Sequence, residues 1–397
     1  MNNRYILFLI LGLDALFLFI KIDELSISYH EAMLFYGDFS VLQAIIKTSV
    51  YFFTQNDFAL RLPMLFFHIL STLLLYKISK KYLKVQRNRI WLILIYILLP
   101  GIISSSIIVN EAGLVIFGLL FFIYIYENYS KKALYFLLIA YLFISGGFVY
   151  LFLSLSIFAL YHKDNKFFIF NLFLFLTSLF LFGINTHGTP SGHFLDTLGL
   201  YGAIFNPIVF IYIFYVLYRK FLSKDMNILW FISTTALVFS LLLSFRQRLN
   251  IEDFAPYLML TLPLVAQTFE HSYRVRLSEF RKKYKLIFVI SLILLLVNSS
   301  VVFFNKYLYY VVQNPHKHFS YDMHVAKELA LKLKKRNINC VTANPKMSQR
   351  LKFYGIAKCN KAILMEGIFN IDKKNSVTIS YKDKIVYSAY VTKLNIN

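Results

Sequence analysis

The first polar loop of the chain carries a carboxylate that could move a proton. Glu31 lies in the stretch Ser28-Tyr29-His30-Glu31-Ala32, just after the first hydrophobic run. A carboxylate in such a loop could act as a general base that removes a proton from an acceptor hydroxyl or amine. The structural alternative is that Glu31 stabilises the N-terminus of a short helix, where a negative charge is favoured.

A second acid, Glu111, ends the loop between the third and fourth hydrophobic runs. It is flanked by Val109 and by Ala112-Gly113-Leu114, which places it at or close to membrane depth. An ionisable residue at that depth is costly and is therefore a functional candidate. The alternative is a lone acid that caps the start of a helix.

Two arginines, Arg246 and Arg248, follow the ninth hydrophobic run and precede Tyr257. The planar guanidinium group binds phosphate through paired, charge-assisted hydrogen bonds. The two arginines could therefore hold a phosphate and stabilise it as a leaving group. Alternatively, they pair with Glu252 and Asp253 and only anchor the end of the helix.

Three further ionisable residues share the loop 185–202, namely His187, His193 and Asp196. Their spacing matches no metal site, and incidental histidines in a loop of Gly, Thr, Pro and Ser are the favoured interpretation. No metal-ligating set is assigned.

The elements that must position these residues are predicted to be transmembrane helices. Of the 397 residues, 58% are hydrophobic and 16% are charged, whereas a soluble domain averages about 25% charged. The apolar runs are long enough to cross a hydrocarbon core of about 30 Å, where the backbone must be helical. The predicted fold class is an all-α polytopic membrane protein with about eleven spans, at 5–22, 61–79, 90–106, 110–127, 133–147, 148–162, 167–184, 203–218, 226–245, 254–270 and 286–304.

The net charge of +22 would indicate nucleic acid as a partner for a soluble protein. Here the basic clusters recur in alternate loops, which the positive-inside rule explains without nucleic acid. They lie at 77–89, 131–132, 163–166, 219–224 and 274–285. This assignment places the N-terminus in the cytoplasm and the loops of Glu31, Glu111 and Arg246 on the external side.

The hydropathy falls after about residue 304, so the predicted domains are a membrane domain over 1–304 and an external α/β domain over 305–397. Within the second, 325–333 and 347–354 are predicted helices, 339–343 a short strand, and 377–380 with 385–391 a hairpin. Cys340 and Cys359 both fall in this domain. On an oxidising side of the membrane a disulfide between them is favoured over two unrelated thiols.

The order of these features resembles the GT-C glycosyltransferases, and within them the protein O-mannosyltransferases and bacterial aminoarabinose transferases. An acid in the first external loop, the sequence Phe58-Ala59-Leu60-Arg61-Leu62-Pro63, an acid at the start of the fourth span and a late arginine segment carry the resemblance. It covers residues 5–130 well and 240–270 loosely.

The resemblance implies a glycosyltransferase that moves a sugar, with inversion, from a polyprenyl-phosphate donor to a lipid, glycan or protein acceptor. The family's usual Asp-Glu is His30-Glu31 here, so Glu31 has taken the role of base, His30 acts as the base, or the site is inactive. The Pro-rich stretch that many members carry after the acid is also missing.

The leading hypothesis is an enzyme at the periplasmic face of the bacterial inner membrane. Glu31, with His30, activates the acceptor, and Glu111 orients the acceptor or helps to bind a divalent metal ion, which is the possible cofactor. Arg61, Arg246 and Arg248, together with Tyr257, bind the donor, and the alternative for Arg61 is that it braces the first loop. Membrane lipids are expected partners.

Two rival hypotheses remain open. A transporter or flippase of a lipid-linked sugar should show repeated halves or Gly/Pro-broken helices near the membrane midplane. A degenerate family member would bind a glycolipid without turnover, and the histidine at position 30 leaves this alternative open.

Overall fold

The computed structural model describes residues 3–183, 192–360, 362–367 and 376–393. The described chain is mostly helical, with one small sheet near its C-terminus. The helices, in chain order, are α1 (Asn3–Glu24), α2 (Tyr29–Tyr36), α3 (Val41–Phe53), α4 (Asp57–Tyr82), α5 (Gln86–Ile97), α6 (Pro100–Ile107), α7 (Glu111–Asn128), α8 (Lys131–Ile144), α9 (Val149–Tyr161), α10 (Asn165–Phe182), α11 (Phe194–Phe205), α12 (Pro207–Leu222), α13 (Ile228–Ser244), α14 (Ala255–Met259), α15 (Leu262–Val275), α16 (Ser278–Phe303), α17 (Ala326–Lys335) and α18 (Pro345–Phe353). The strands are β1 (Ala362–Glu366), β2 (Ser376–Tyr381) and β3 (Lys384–Lys393).

Five helices of the described chain are long and apolar enough to cross a membrane, or up to seven if each of two bent pairs counts as one span. The five are α1 from Tyr5, α4, α7, α10 and α16. The predicted count of eleven is not confirmed, because several predicted spans correspond to shorter helices. The chain is thus a multi-pass helical membrane protein with fewer long spans than its hydropathy predicts.

The two bent pairs explain part of this difference. Helices α5 and α6 meet at 63°, and α11 and α12 meet at 106°. In both pairs the second helix begins with a proline, Pro100 or Pro207. Proline lacks the N–H that would continue the preceding helix but fits the first turn of a new one. The predicted spans 90–106 and 203–218 are therefore each broken near a proline.

The predicted span 254–270 is also interrupted. It comprises α14 and α15, which are separated at Leu260 and Thr261, with Pro263 in the first turn of α15. Because α14 has only five residues, this segment is not one continuous membrane helix.

The described chain forms two compact units, and the boundary falls within α1, α4 and α16. The first unit comprises residues 1–15 and 64–299, and the second comprises 16–63 and 300–397. The prediction placed the boundary at residue 304, close to the start of the second unit's later segment. Residues 16–63 form their compact contacts with residues 300–397.

The core of the first unit is built from apolar helix faces that pack closely. Tyr141 of α8 stacks on Phe148 with ring centroids 4.2 Å apart. Both rings lie over Gly118 of α7, where an added Cβ would come within 2.5 Å of Phe148. This close approach fixes the turn Gly146–Phe148 against the helix that begins at Glu111.

The second unit contains the sheet, whose strand order is β1-β3-β2 with both pairings antiparallel. The predicted hairpin is confirmed as β2 and β3, and the two predicted helices are confirmed as α17 and α18. The predicted strand 339–343 forms only isolated bridges, from Cys340 to Ala357 and from Thr342 to Ile363.

The two cysteines of the second unit form the predicted disulfide. The Cα atoms of Cys340 and Cys359 are 5.5 Å apart, within the range that a disulfide requires. The bond joins the chain on either side of α18 and so fixes the ends of that helix-containing loop.

Candidate functional site

Glu31 is held at the start of α2 by its own helix. Ser28 caps α2 and accepts a hydrogen bond from the Glu31 amide at 3.2 Å. In return, the Ser28 amide donates to Glu31 Oε2 at 2.8 Å. This reciprocal capping arrangement satisfies two amide groups that a helix N-terminus otherwise leaves unpaired. The structural interpretation of Glu31 as a helix-capping acid therefore has direct geometric support.

Arg61, on the first turns of α4, occupies the rest of the Glu31 carboxylate. Its Nε donates to Oε1 at 2.9 Å and its Nη2 donates to Oε2 at 2.8 Å. Nη1 also donates to the carbonyl of Leu25 at 2.8 Å, and Nη2 donates to that of Ser26 at 2.9 Å. Neither charged side chain has any exposed surface. The two residues thus form a buried ion pair that joins the first polar loop to α4.

His30 has the opposite environment from its neighbour. It lies in the first turn of α2 and its side chain is exposed. Its ring is 6.0 Å from that of Tyr29. Of the His30-Glu31 dipeptide, the histidine is the side chain that can meet a ligand from solvent.

The first loop is fastened to the C-terminal segment within the second unit. The Tyr354 hydroxyl donates to Asp57 Oδ1 at 2.5 Å and accepts from the Ile27 amide at 2.8 Å. Lys327 pairs with Asp57 Oδ2 at 3.2 Å and with Asp23 Oδ1 at 3.1 Å. Partial burial of Lys327 opposes its charge, but Asp57 and Asp23 outweigh this and raise its pKa.

Arg350 adds a buried contact to the same segment. Its Nε donates to the carbonyl of Ile27 at 3.0 Å, and its guanidinium also contacts Asp322. Burial lowers the pKa of Arg350, although Asp322 favours the charged form. The loop that carries His30 is consequently held at Ile27 by both Tyr354 and Arg350.

In the first unit, Glu111 is the first residue of α7 and is exposed. Asn110 caps this helix by accepting from the Gly113 amide, so Glu111 is not needed as the cap. Its Oε2 accepts a hydrogen bond from the Ser145 hydroxyl at 2.6 Å. Ser145 in turn accepts from the Gly147 amide at 2.9 Å. The carboxylate is therefore oriented by its neighbours but remains open to solvent.

Asp253 is a second exposed acid of the first unit and lies in a short 3-10 turn, Ile251–Asp253. Its pKa is raised to about 6. The main cause is that surrounding protein atoms displace water and so disfavour the charged carboxylate, and the negative charges of Glu111 and Glu252 add to this effect. Its side chain reaches solvent, yet enough protein surrounds it to disfavour its charge. An accessible carboxylate with a perturbed pKa is typical of functional sites.

Sequence reasoning did not identify Asp253 as a site residue, because it was considered only as a partner for the nearby arginines. The signal that marks it is its proximity to Glu111, and this arises from packing of the turn against α7. Because Glu111 and Asp253 are far apart in the sequence, no local sequence pattern could have shown that their side chains lie near each other.

Arg246 and Arg248 follow the end of α13 and are both exposed, whereas Gln247 and Leu249 are buried. Both arginine side chains are therefore accessible to solvent. Neither guanidinium group forms an ion pair or hydrogen bond within the described ranges, including with Glu252 or Asp253. The anchoring alternative is thus not what the structure shows, and both guanidinium groups are available to a ligand.

Tyr257 is completely buried. Its hydroxyl donates to the carbonyl of Gly147 at 2.6 Å and accepts from the amide of Leu151 at 3.1 Å. These contacts fix the turn that carries Ser145, the hydrogen-bond donor to Glu111. Tyr257 therefore contributes indirectly to the orientation of the Glu111 carboxylate, through the turn that carries Ser145. Because Tyr257 has no exposed atom, it cannot make the predicted contact with a substrate in this arrangement.

Among the residues that the structure describes, no three His, Cys, Asp or Glu side chains lie close enough to hold a metal ion. His193 Nδ1 lies 3.3 Å from Asp196 Oδ2, and His187 lies outside the described residues.

The structure groups the predicted residues into two sets. Glu31, His30 and Arg61 belong to the second unit, and Glu111, Arg246, Arg248 and Tyr257 belong to the first. The pairing of Arg61 with Glu31 was not predicted, although the contacts of Arg61 with the first loop agree with the alternative in which Arg61 braces that loop.

A pair of ionisable residues inside predicted spans was also missed. His68 Nε2 lies 2.6 Å from Asp14 Oδ2, and both side chains are almost completely buried. Intramembrane ionisable residues of this kind are functional candidates by default.

Comparison with solved structures shows what this chain is similar to. No protein-family model and no curated protein match the sequence. Among solved structures, the chain is similar to the crystal structure of ArnT from Cupriavidus metallidurans in the apo state, with a TM-score of 0.55 and 14% sequence identity. The match covers 89% of this chain and 84% of that chain. The chain therefore shares the fold of this ArnT structure, which supports the predicted resemblance.

Proposed function

We propose that this chain is a glycosyltransferase of the bacterial inner membrane that uses a polyprenyl-phosphate-linked sugar as its donor. The observation that carries the proposal is the ArnT-like fold over 89% of the chain. Because fold alone does not define activity, the assignment of roles rests on the exposed acids and arginines of the first unit. The acceptor is a lipid, a glycan or a protein, and the reaction takes place at the periplasmic face.

Arg246 and Arg248 are proposed to bind the donor phosphate. Both are exposed and have no partner within the described ranges, so a bound phosphate would not have to displace an existing ion pair. Their paired hydrogen bonds would stabilise the phosphate as negative charge develops on it during departure of the polyprenyl phosphate.

Glu111 and Asp253 are proposed to activate the acceptor. The acceptor oxygen or nitrogen attacks the anomeric carbon, the bond to the donor phosphate breaks, and the acceptor proton passes to a carboxylate. Asp253 is the favoured base, since its pKa of about 6 leaves it ionised at neutral pH yet more basic than an ordinary carboxylate. Glu111, oriented by Ser145, would position the acceptor.

Glu31 and Arg61 are proposed to act as positioning residues. Both oxygens of Glu31 already accept hydrogen bonds from Arg61, which opposes their predicted roles as base and donor ligand. Of this loop, the exposed His30 is the side chain that we propose as accessible to a ligand.

The proposal is tested by mass spectrometry of membrane glycolipids and glycoproteins from cells that express wild type, a deletion or single variants. Deletion, Asp253→Asn and Arg246→Ala/Arg248→Ala should each lose the same single-sugar mass increment. Glu279→Gln changes an exposed acid with no assigned role and is the matched control. Retention of every mass increment in the deletion strain would contradict the proposal. In a separate experiment, EDTA treatment of the membranes tests whether the transfer reaction requires a divalent metal.

A flippase of a lipid-linked sugar is the second candidate, and two observations favour it. Two helix pairs are broken near prolines, and Asp14 pairs with His68 within predicted spans. Broken helices and buried ionisable pairs are typical of transporters. An assay of product formation by purified protein in detergent distinguishes the two candidates. A transferase should form the glycosylated product in detergent, whereas a flippase should form none and has no second leaflet to which it could move a lipid.

A further inference from the structure

A cavity of about 610 Å³ lies in the first unit between α5, α12, α15 and α16. This volume is in the range of pockets that hold small molecules or lipid chains. None of Glu111, Asp253, Arg246 or Arg248 lines it. The cavity is therefore separate from the residues of the proposed transfer reaction.

The wall of the cavity is mostly apolar and includes several aromatic side chains. Phe269 of α15 stacks on Tyr284 of α16 with centroids 4.7 Å apart, and it lies 5.1 Å from Phe288. Trp91 of α5 meets Phe288 edge-on at 5.9 Å. Contacts between three helices thus form a preformed surface that suits hydrocarbon better than water.

The rim of the cavity is positively charged. Arg87 and Lys285 line it and are exposed, and neither of their charged side chains forms an ion pair or hydrogen bond in the described part of the chain. Arg274 also lines it but is paired with Glu270, the one acidic lining residue. The N-terminus of α5, where partial positive charge favours anions, lies at the same rim. An anionic group would consequently find two uncompensated cations beside an apolar space.

The position of the cavity indicates which membrane leaflet it serves. Arg87 and Lys285 belong to the basic clusters 77–89 and 274–285, which the positive-inside rule places in the cytoplasm. Helix α16 is open to the bilayer, since only 11% of its most apolar window is buried against the protein. A lipid of the cytoplasmic leaflet could therefore enter sideways past α16.

We propose that this cavity binds an anionic phospholipid of the cytoplasmic leaflet. The acyl chains occupy the aromatic space, and the phosphate contacts Arg87 and Lys285. Basic pockets between transmembrane helices on the cytoplasmic side are suited to anionic headgroups. A polyprenyl phosphate has similar chemistry, but the donor site is proposed on the opposite face, so the phospholipid is the favoured occupant.

The test uses the full chain, delipidated in detergent and titrated with phosphatidylglycerol or with phosphatidylcholine of the same acyl chains, with bound lipid counted by native mass spectrometry. Wild type should retain one phosphatidylglycerol far more tightly than phosphatidylcholine. Arg87→Ala/Lys285→Ala should weaken phosphatidylglycerol binding by about 30-fold, from two cations near an anionic headgroup. Ala266→Trp should fill the cavity and weaken both lipids.

The matched control is Lys132→Ala/Lys166→Ala, which removes two exposed cations from the same predicted side but away from the cavity. It should bind phosphatidylglycerol like wild type. Equal losses in the control and the Arg87/Lys285 variant would overturn the proposal, as would equal retention of the two phospholipids by wild type. Displacement of phosphatidylglycerol by an equimolar polyprenyl phosphate would reassign the cavity to the donor lipid. All the charged residues replaced are exposed, so these variants should fold, which a monodisperse elution profile verifies.

Discussion

Arg61 donates a hydrogen bond to each carboxylate oxygen of Glu31, at 2.9 and 2.8 Å, and neither side chain reaches solvent. The pair connects a helix-capping acid to the carbonyl groups of the preceding loop, because Arg61 also binds Leu25 and Ser26. A general base needs an oxygen within reach of the acceptor proton. The geometry therefore favours an architectural role for Glu31, and the proton acceptors that we propose are the exposed acids of the first unit.

Replacing Glu31 by glutamine should destabilise the protein. The substitution leaves the buried Arg61 charge without its counter-ion, at a cost of about 3–5 kcal/mol. Thermal unfolding of the purified variant in detergent measures the loss. The double variant Glu31→Gln/Arg61→Met should be more stable than Glu31→Gln alone, since it also removes the unpaired charge.

Asp38→Asn is the control for this series, because Asp38 is an exposed acid near the same loop and should leave the unfolding temperature unchanged. A Glu31→Gln variant that unfolds like wild type but has lost turnover would restore Glu31 as the base.

Local pattern was enough to predict much of the second unit. Residues 325–333 show helical spacing, and 377–391 alternate as a hairpin does, so α17, β2 and β3 could be anticipated. The disulfide followed from the confinement of Cys340 and Cys359 to one segment. These features depend on residues that are close in sequence, where periodicity is informative.

The long-range relationships could not be predicted in the same way. The Glu31–Arg61 pair, the approach of Asp253 to Glu111 and the burial of Tyr257 all depend on how separate helices pack. Hydropathy also treats 90–106 and 203–218 as continuous, although prolines start new helices within them. Composition therefore indicates membrane helices but not where they break.

The second unit should lose stability as the pH falls from neutral, because of His324. Burial, followed by the nearby charges of Lys306, His318 and Lys21, lowers the pKa of His324 to about 3. Burial also lowers the pKa of His318. Below about pH 6.5 the unfolded chain takes up a proton that the folded His324 does not, so stability falls until about pH 3. At pH 5 the loss from His324 is about 2 kcal/mol.

Unfolding temperatures recorded between pH 7 and pH 5 measure this dependence. His324→Gln, which cannot titrate, should show a shallower fall, and His316→Gln changes a neighbouring histidine as the control. An identical pH dependence in wild type and His324→Gln would contradict the assignment.

Reduction of the disulfide should also destabilise the second unit. The Cys340–Cys359 bond closes a loop with a sequence separation of 19, for which loss of the cross-link costs about 3 kcal/mol. Cys340→Ser/Cys359→Ser should unfold at a lower temperature than wild type and should not respond to reductant. A wild-type unfolding temperature that is unchanged by full reduction would contradict a stabilising role for this bond.

Turnover should depend on the ionisation of Asp253. Its pKa of about 6 means that the base form accumulates as the pH rises, so the rate should increase from pH 5 to 7 with a midpoint near 6. Asp253→Asn should lower the rate by about 10²- to 10⁴-fold, the range for loss of a general base. The measurement is product formation by purified protein with a polyprenyl-phosphate-linked sugar.

The same profile identifies the influence of Glu111. Its negative charge contributes to the raised pKa of Asp253, so Glu111→Gln should move the midpoint to lower pH as well as reduce the rate. Glu279→Gln removes an exposed acid that does not contribute to the raised pKa of Asp253, so it should leave the midpoint unchanged. If the midpoint persists in Asp253→Asn and disappears in His30→Gln, the proton acceptor is the histidine of the first loop, and Asp253 is not the base.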